Sequence, residues 1–170
     1  MKCYKCDRPA KVHIGHLRPL CNNCFIKIIE KRIRKYIRIN KLIKKNDKLL
    51  IKDPLSLYFI KKIIKSPIKI INKKGKNAKE VIPWSLDDEC SLFLDLFFNK
   101  EFNIKDIENN KIKLFKTITD EELTEFSKIK HIKYKQLKKH RNINLLDNLN
   151  KKYPDIRFSL LKCIENIKRI

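Results

Sequence analysis

Cys3 and Cys6, followed by Cys21 and Cys24, form two C-x2-C hooks separated by a short loop. Thiolates at this spacing can bring four sulfurs to the corners of a tetrahedron, the geometry of a structural Zn²⁺ site whose coordination positions are all filled by protein. The intervening loop, Asp7 to Leu20, is too short and too polar to fold by burying apolar surface, so metal binding would supply its folding energy. One structural Zn²⁺ on Cys3, Cys6, Cys21 and Cys24 is the expectation. An iron–sulfur cluster on the same ligands stays open, because sequence does not separate these metals, and two disulfides are the bland alternative. His13 and His16 lie in the loop and are read as solvated or facing a nucleic acid. Cys90 and Cys163 stand alone in apolar helical contexts and are expected to be buried, inert thiols.

The sequence offers little reaction chemistry. Gly15 and Gly75 are the only glycines, so no Gly-rich loop can let backbone N–H groups close around phosphates. His131 and His140 sit among lysines with no neighbouring carboxylate to orient them and no nucleophile in sequence reach. The acidic run Asp87-Asp88-Glu89 is explained by a helix N-terminus, which favours negative charge. No residue is assigned a catalytic role.

The formal net charge is +23, and it is unevenly spread. Residues 1 to 80 carry 24 Lys+Arg against 5 Asp+Glu, whereas residues 81 to 170 carry 18 against 14. A concentrated field of this kind attracts the phosphates of RNA or DNA. The richness in Lys, Ile and Asn also fits an AT-rich genome, so the localisation of the charge argues more strongly than its size. No apolar run is long enough to cross a bilayer, and Met1 leads directly into the hooks without a signal peptide; a soluble cytoplasmic protein without membrane contact is expected.

The elements that would position these residues follow from periodicity. Apolar residues from Phe25 to Ile43 recur at helical spacing, with Lys27, Lys31, Arg34, Lys35, Arg38, Lys41 and Lys45 on much of the remainder: a long basic helix leaving the metal module. After a turn at Asn46-Asp47, Lys48 to Ile51 reads as a short buried strand. Pro54 opens an apolar helix through Leu55, Phe59, Ile60 and Ile63. Residues 66 to 72 read as a second strand and residues 73 to 77 as a basic turn, which together suggest parallel strands joined by a crossover helix. Ser85 with Asp88, and Thr119 with Glu122, have the spacing of capping boxes, with Trp84 packing as a staple before the first. Residues 111 to 118 alternate as a strand, and two helices, about 135 to 152 and 156 to 169, end the chain.

This order of parts resembles the tRNA 2-thiolation proteins of the PP-loop ATPase class, the TtuA type and the cytosolic thiouridylase. Met1 to Ala10 and Leu20 to Phe25 are similar to the paired hooks that open those proteins. Leu49-Leu50-Ile51 falls where their strand precedes an S-G-G-K-D-S loop for ATP. Here Lys52-Asp53-Pro54 follows, so the K-D pair remains while S-G-G is absent and the last Ser is Pro. Tyr153 to Leu161, with His140-Arg141 and Leu145 to Leu149 before it, is similar to the family's last stretch, with Asp155 in place of Gly.

The resemblance implies an α/β fold: a zinc module at residues 1–25 followed by a reduced, helix-rich Rossmann-like domain of PP-loop type at residues 26–170, with three to five strands. Active members of the family carry a Cys pair in the middle of the domain, a later Cys and a second zinc module. This chain has no middle pair, His131 falls about where the later Cys would be, and no second module follows before Ile170. By analogy with the degenerate second subunit of the eukaryotic enzyme, the resemblance implies a truncated member that binds tRNA and an active PP-loop homologue, does no chemistry and takes no ATP. Lys31, Arg32, Arg34, Lys35, Arg38, Lys138, Lys139 and Arg141 would contact RNA, and Lys52 and Asp53 would be the remnant of the nucleotide loop. The alternative function is a zinc-containing DNA-binding or transcription-associated protein, although no recognition-helix signature is present.

Overall fold

The computed structural model describes residues 1–73, 75, 77–99, 110–137 and 142–167. The element order is α1 (Asn22–Ile39), β1 (Lys48–Ile51), α2 (Pro54–Ile63), β2 (Lys69–Ile71), β3 (Ala78–Ser85), α3 (Leu86–Phe98), β4 (Lys111–Phe115), α4 (Asp120–Lys130), α5 (Ile143–Lys152) and α6 (Ile156–Ile167). Among the described residues the strands form one four-stranded parallel sheet in the order β2-β1-β3-β4. The expected α/β fold with a small parallel sheet is what the chain adopts.

The starts of α2, α3 and α4 have local causes. Asp53 accepts the Ser56 N–H at 2.6 Å and Pro54 occupies the first turn of α2, where its missing donor costs nothing. Ser85 and Asp88 form a capping box at α3, and Thr119 and Glu122 form another at α4. At the end of α4, His131 takes the left-handed conformation at φ 53°, giving that position a geometric role as the helix stop. Of the last two helices, α5 ends at Lys152 and α6 begins at Ile156 as periodicity suggests, but α5 opens at Ile143 and not at about 135.

Two apolar clusters hold the layers together. The larger runs without a break from Cys3, Val12 and Leu20 through the buried face of α1 (Phe25, Ile29, Ile33, Ile37) to Phe59, Phe115 and Phe126. The boundary expected at residue 25 therefore lies inside a helix and across a continuous core. The smaller cluster joins α3, α5 and α6 through Leu86, Cys90, Leu94, Leu146 and Leu161.

The chain leaves β1 toward β2 and then returns to the opposite flank of β1 as β3. The strand order thus reverses between β1 and β3, and the carboxyl ends of these strands are where open parallel sheets place ligands.

Candidate metal centre and basic face

The hooks are built by backbone pairing rather than by bulk. Isolated bridges between Lys2 and Pro9 and between Val12 and Leu20 fold the loop back on itself. The Cys3 N–H bonds to the Arg8 carbonyl, and the Phe25 N–H to the Cys21 carbonyl starts α1 beside the second hook. Cys21 is the N-cap of α1 but its side chain makes no capping bond. Its sulfur instead joins Cys3, Cys6 and Cys24 in a group whose Sγ atoms all lie within 4.8 Å of one another.

Cys6 Sγ lies 3.6 Å from Cys21 Sγ and 3.6 Å from Cys24 Sγ. A single tetrahedral ion with metal–sulfur bonds of about 2.3 Å sets its sulfurs about 3.8 Å apart. The four sulfurs are thus close enough to share a metal as ligands. Burial works to raise the Cys3 thiol, but backbone hydrogen bonds at Cys21, Lys5 and Cys6 outweigh it and bring the thiol down to about 6. Cys21 is lowered chiefly by its backbone hydrogen bond with Cys24, whereas burial, reinforced by neighbouring thiols, pushes Cys24 up to about 12. A bound cation would draw off the remaining protons, since the thiolate is the ligand.

α1 carries the basic face. Lys31, Arg34, Lys35 and Arg38 are all exposed, on the side opposite Phe25, Ile29 and Ile33. Arg32 does not share that face. Its guanidinium bonds the Glu122 carboxylate and the Thr117 carbonyl and lies 5.2 Å from the Phe158 ring centroid, so it is a core-side cation and not a free phosphate contact. His16 corrects a second expectation: it is turned inward, 3.1 Å from Glu122 and edge-on to Phe158, whereas His13 is exposed. Lys138, Lys139 and Arg141 lie outside the described residues.

At the sheet's carboxyl edge, β1 passes into α2 through Lys52 and Asp53 alone. Lys52 is exposed and sits 3.7 Å from Glu80. Carboxylates gather at the starts of α3 and α4. Asp87 receives Arg157 at 2.5 Å and the Asp120 N–H at 2.8 Å. Glu89 accepts from Trp84 and Lys113 and lies 3.4 Å from Lys116. Burial, then the charges of Asp87 and Asp88, pushes the Asp120 carboxyl up to about 6. Asp120, Asp88 and Asp53 all act on the half-buried Tyr134 hydroxyl, whose pKa burial already raises.

No family model matches the chain. Over 68 aligned residues it is 40% identical to the tRNA-5-methyluridine(54) 2-sulfurtransferase of Thermotoga maritima. That overlap covers 36% of this chain and 22% of the relative, so the chain spans well under half of the curated relative's length. Among solved structures, the U34-tRNA thiolase NcsA from Methanococcus maripaludis, with its 4Fe-4S cluster, matches at a TM-score of 0.76. The match covers 98% of this chain and 87% of that chain at 16% identity, which makes it a likeness of fold. The resemblance is to the PP-loop tRNA 2-thiolation family.

The remaining cysteines divide. Cys90 is fully buried on α3, donates to the Arg157 carbonyl at 3.3 Å and is pushed up to about 12 by burial. Cys163 is exposed on α6, contrary to expectation, because the buried positions of that helix are Arg157, Leu161 and Ile164. What sequence reasoning missed is the buried charge: Asp87, Asp88, Glu89, Lys113, Lys116, Glu122 and Arg157 are all buried. Only the capping-box spacing of Glu122 and Asp88 offered a signal, and it pointed to helix starts.

Proposed function

We propose that this chain is a noncatalytic subunit of a tRNA 2-thiolation complex, binding tRNA beside an active PP-loop homologue. The observation that carries this reading is the closed start of α2, where the family resemblance places the ATP loop. Phosphate binding at a helix N-terminus needs free N–H groups and room for an anion. Here the connection is two residues long, Pro54 has no N–H, and the Ser56 N–H is already taken by the Asp53 carboxylate. Asp120 accepts from the half-buried Tyr134 hydroxyl, and the nearby charges of Asp88 and Asp53 add to a set that opposes a polyphosphate.

Thiol chemistry has equally little support. The chain holds six Cys, of which four form the hooks, Cys90 is an inert buried thiol and Cys163 is an exposed thiol on α6. We assign the hooks one structural Zn²⁺, held by Cys3, Cys6, Cys21 and Cys24. It would pin the start of α1 so that Lys31, Arg34, Lys35 and Arg38 meet RNA phosphates, contacts that position a nucleic acid without reading its sequence.

The test is the 2-thiouridine content of tRNA, measured by mass spectrometry of nucleosides in cells lacking the gene and in the same cells with it restored. The expected result is loss of the thiolated nucleoside and its recovery with the native gene but not with a Cys3→Ser, Cys6→Ser form. Unchanged thiolation would overturn the reading. Metal analysis of the purified protein should return one zinc per chain and none of the visible absorption of an iron–sulfur cluster.

A further inference from the structure

α1 is a ridge between two grooves, and both are basic. On one flank, a groove of about 680 Å³ separates α1 from β4 and the turn after it; Lys35, Tyr36 and Ile39 face the exposed Lys111, with Lys113 and Lys116 also in the lining but buried and paired with Glu89. On the other flank, a groove of about 450 Å³ separates α1 and the chain beyond it from the end of α2, with Arg34, Arg38, Lys41, Lys44 and Lys65 around an apolar floor that includes Ile63. Among the described residues no carboxylate lines the second groove, and Glu165 is the one acid lining the first. The crest between them carries Lys31, Arg34, Lys35 and Arg38.

We propose that α1 straddles an A-form RNA duplex, its crest over the minor groove and one phosphate strand lying in each flanking groove. The inference rests on the reading of this chain as a tRNA-binding protein and specifies which part of tRNA it holds: a paired arm, not a loop or a single-stranded end. Three observations carry it. The two grooves are set apart by one helix, about 10–12 Å across with its side chains, a spacing that calls for two backbones and not one. The A-form minor groove is wide and shallow, whereas its major groove is too deep and narrow to admit a helix. Single-stranded RNA is held by rows of aromatic rings on which bases stack, and here, among the described residues, Tyr36 is the sole aromatic lining the first groove while the second has none.

The test measures fluorescence anisotropy of the full chain with three labelled probes across a salt series: a short RNA hairpin, an unstructured RNA of equal length, and a DNA duplex of the hairpin's sequence. Two double variants address the grooves separately, Lys35→Ala with Lys111→Ala beside β4, and Arg38→Ala with Lys65→Ala beside α2. All four side chains are exposed, so both variants should fold, checked by circular dichroism. The expected result is at least about tenfold preference for the hairpin over either other probe. Each double variant should weaken hairpin binding and flatten the logarithmic salt dependence by about two units, one for each phosphate that is no longer neutralised. Equal binding of the unstructured RNA or of the DNA duplex, or a weakening confined to one of the two variants, overturns the straddle while leaving RNA binding intact. Absence of binding to every RNA probe and to tRNA overturns the reading beneath it.

Discussion

Glu122 serves three partners with one buried carboxylate. Its Oε1 meets Arg32 and His16, and its Oε2 accepts the Thr119 N–H at 2.9 Å, so a single side chain caps α4 and ties it to α1 and to the metal module. Burial alone would raise this carboxyl; the His16 hydrogen bond, the charges of Arg32 and His16 and the Thr119 N–H outweigh it and hold it below the usual range. A depressed folded pKa contributes stability that is full above the unfolded value and fades as pH falls through the folded one. Acid titration of unfolding should therefore expose this group below about pH 4.3, the ordinary glutamate value. Glu122→Ala should cost about 3 kcal/mol in urea unfolding, the low end for breaking a buried pair because Arg32 keeps some access to water. Asp120 behaves in the opposite sense. Its carboxyl is raised from 3.8 to about 6, so it favours folding fully below the unfolded value and increasingly opposes it as pH rises through 6. Asp120→Asn, which keeps an acceptor for the Tyr134 hydroxyl, should raise stability at pH 7 by about 2 kcal/mol. That figure is two pK units less the loss of a favourable charge at a helix start. The gain should vanish near pH 3.5, and equal stabilisation at both pH values would refute it.

On the proposed reading, the start of α2 keeps its fold without holding a nucleotide. Asp53 and Pro54 are good helix openers for the same reason that they are poor phosphate binders: they use up or remove the N–H groups an anion needs. Calorimetric titration with ATP and Mg²⁺ should give no heat of binding. Asp53→Ala should lose about 1 kcal/mol of stability without restoring it. Micromolar ATP binding abolished by Lys52→Ala would instead revive an enzymatic role. These local rules were legible in sequence: Pro54 at the first helical position, both capping boxes and the short strand Lys48 to Ile51 come from residue types at fixed offsets. β3 was not legible, although it sits at the centre of the sheet. Pro83 interrupts its pattern, and its register with β4 shifts between Ile82 and Ser85. Trp84 occupies the staple position but bonds Glu89 through its indole N–H, under a Lys113 ammonium 4.8 Å from its ring centroid. Arg32 was read as a surface cation because periodicity gives a residue's side of the helix and says nothing of Glu122, 90 residues away, that draws it inward.

At the scale of the molecule, the metal module and the α/β domain share one core, and this fixes what metal removal should do. Val12, Ile14 and Leu20 of the loop pack in the same cluster as Phe25 and Ile29 of α1, and His16 reaches across to Glu122 and Phe158. Structural zinc contributes about 10–16 kcal/mol of apparent binding energy in small modules, comparable with or above the about 5–15 kcal/mol that keeps a whole domain folded. Contrary to the expectation of a loop too polar to bury apolar surface, Val12, Ile14 and Leu20 lie in the core against α1, so collapse of the loop without its ion would open that core. Chelation should therefore not detach an independent module from a stable domain. The expected outcome is one cooperative thermal transition in the metal-loaded protein, and a transition at least about 15 °C lower, or absent, after chelation or in the Cys3→Ser, Cys6→Ser variant. The hydrogen exchange of α1 and α4 amides should rise together, because Glu122 and Arg32 join them to the loop. A metal-free protein with unchanged melting and protected α1 amides would mean that the apolar cluster alone suffices, and the hooks would then need a purpose other than holding α1 in place.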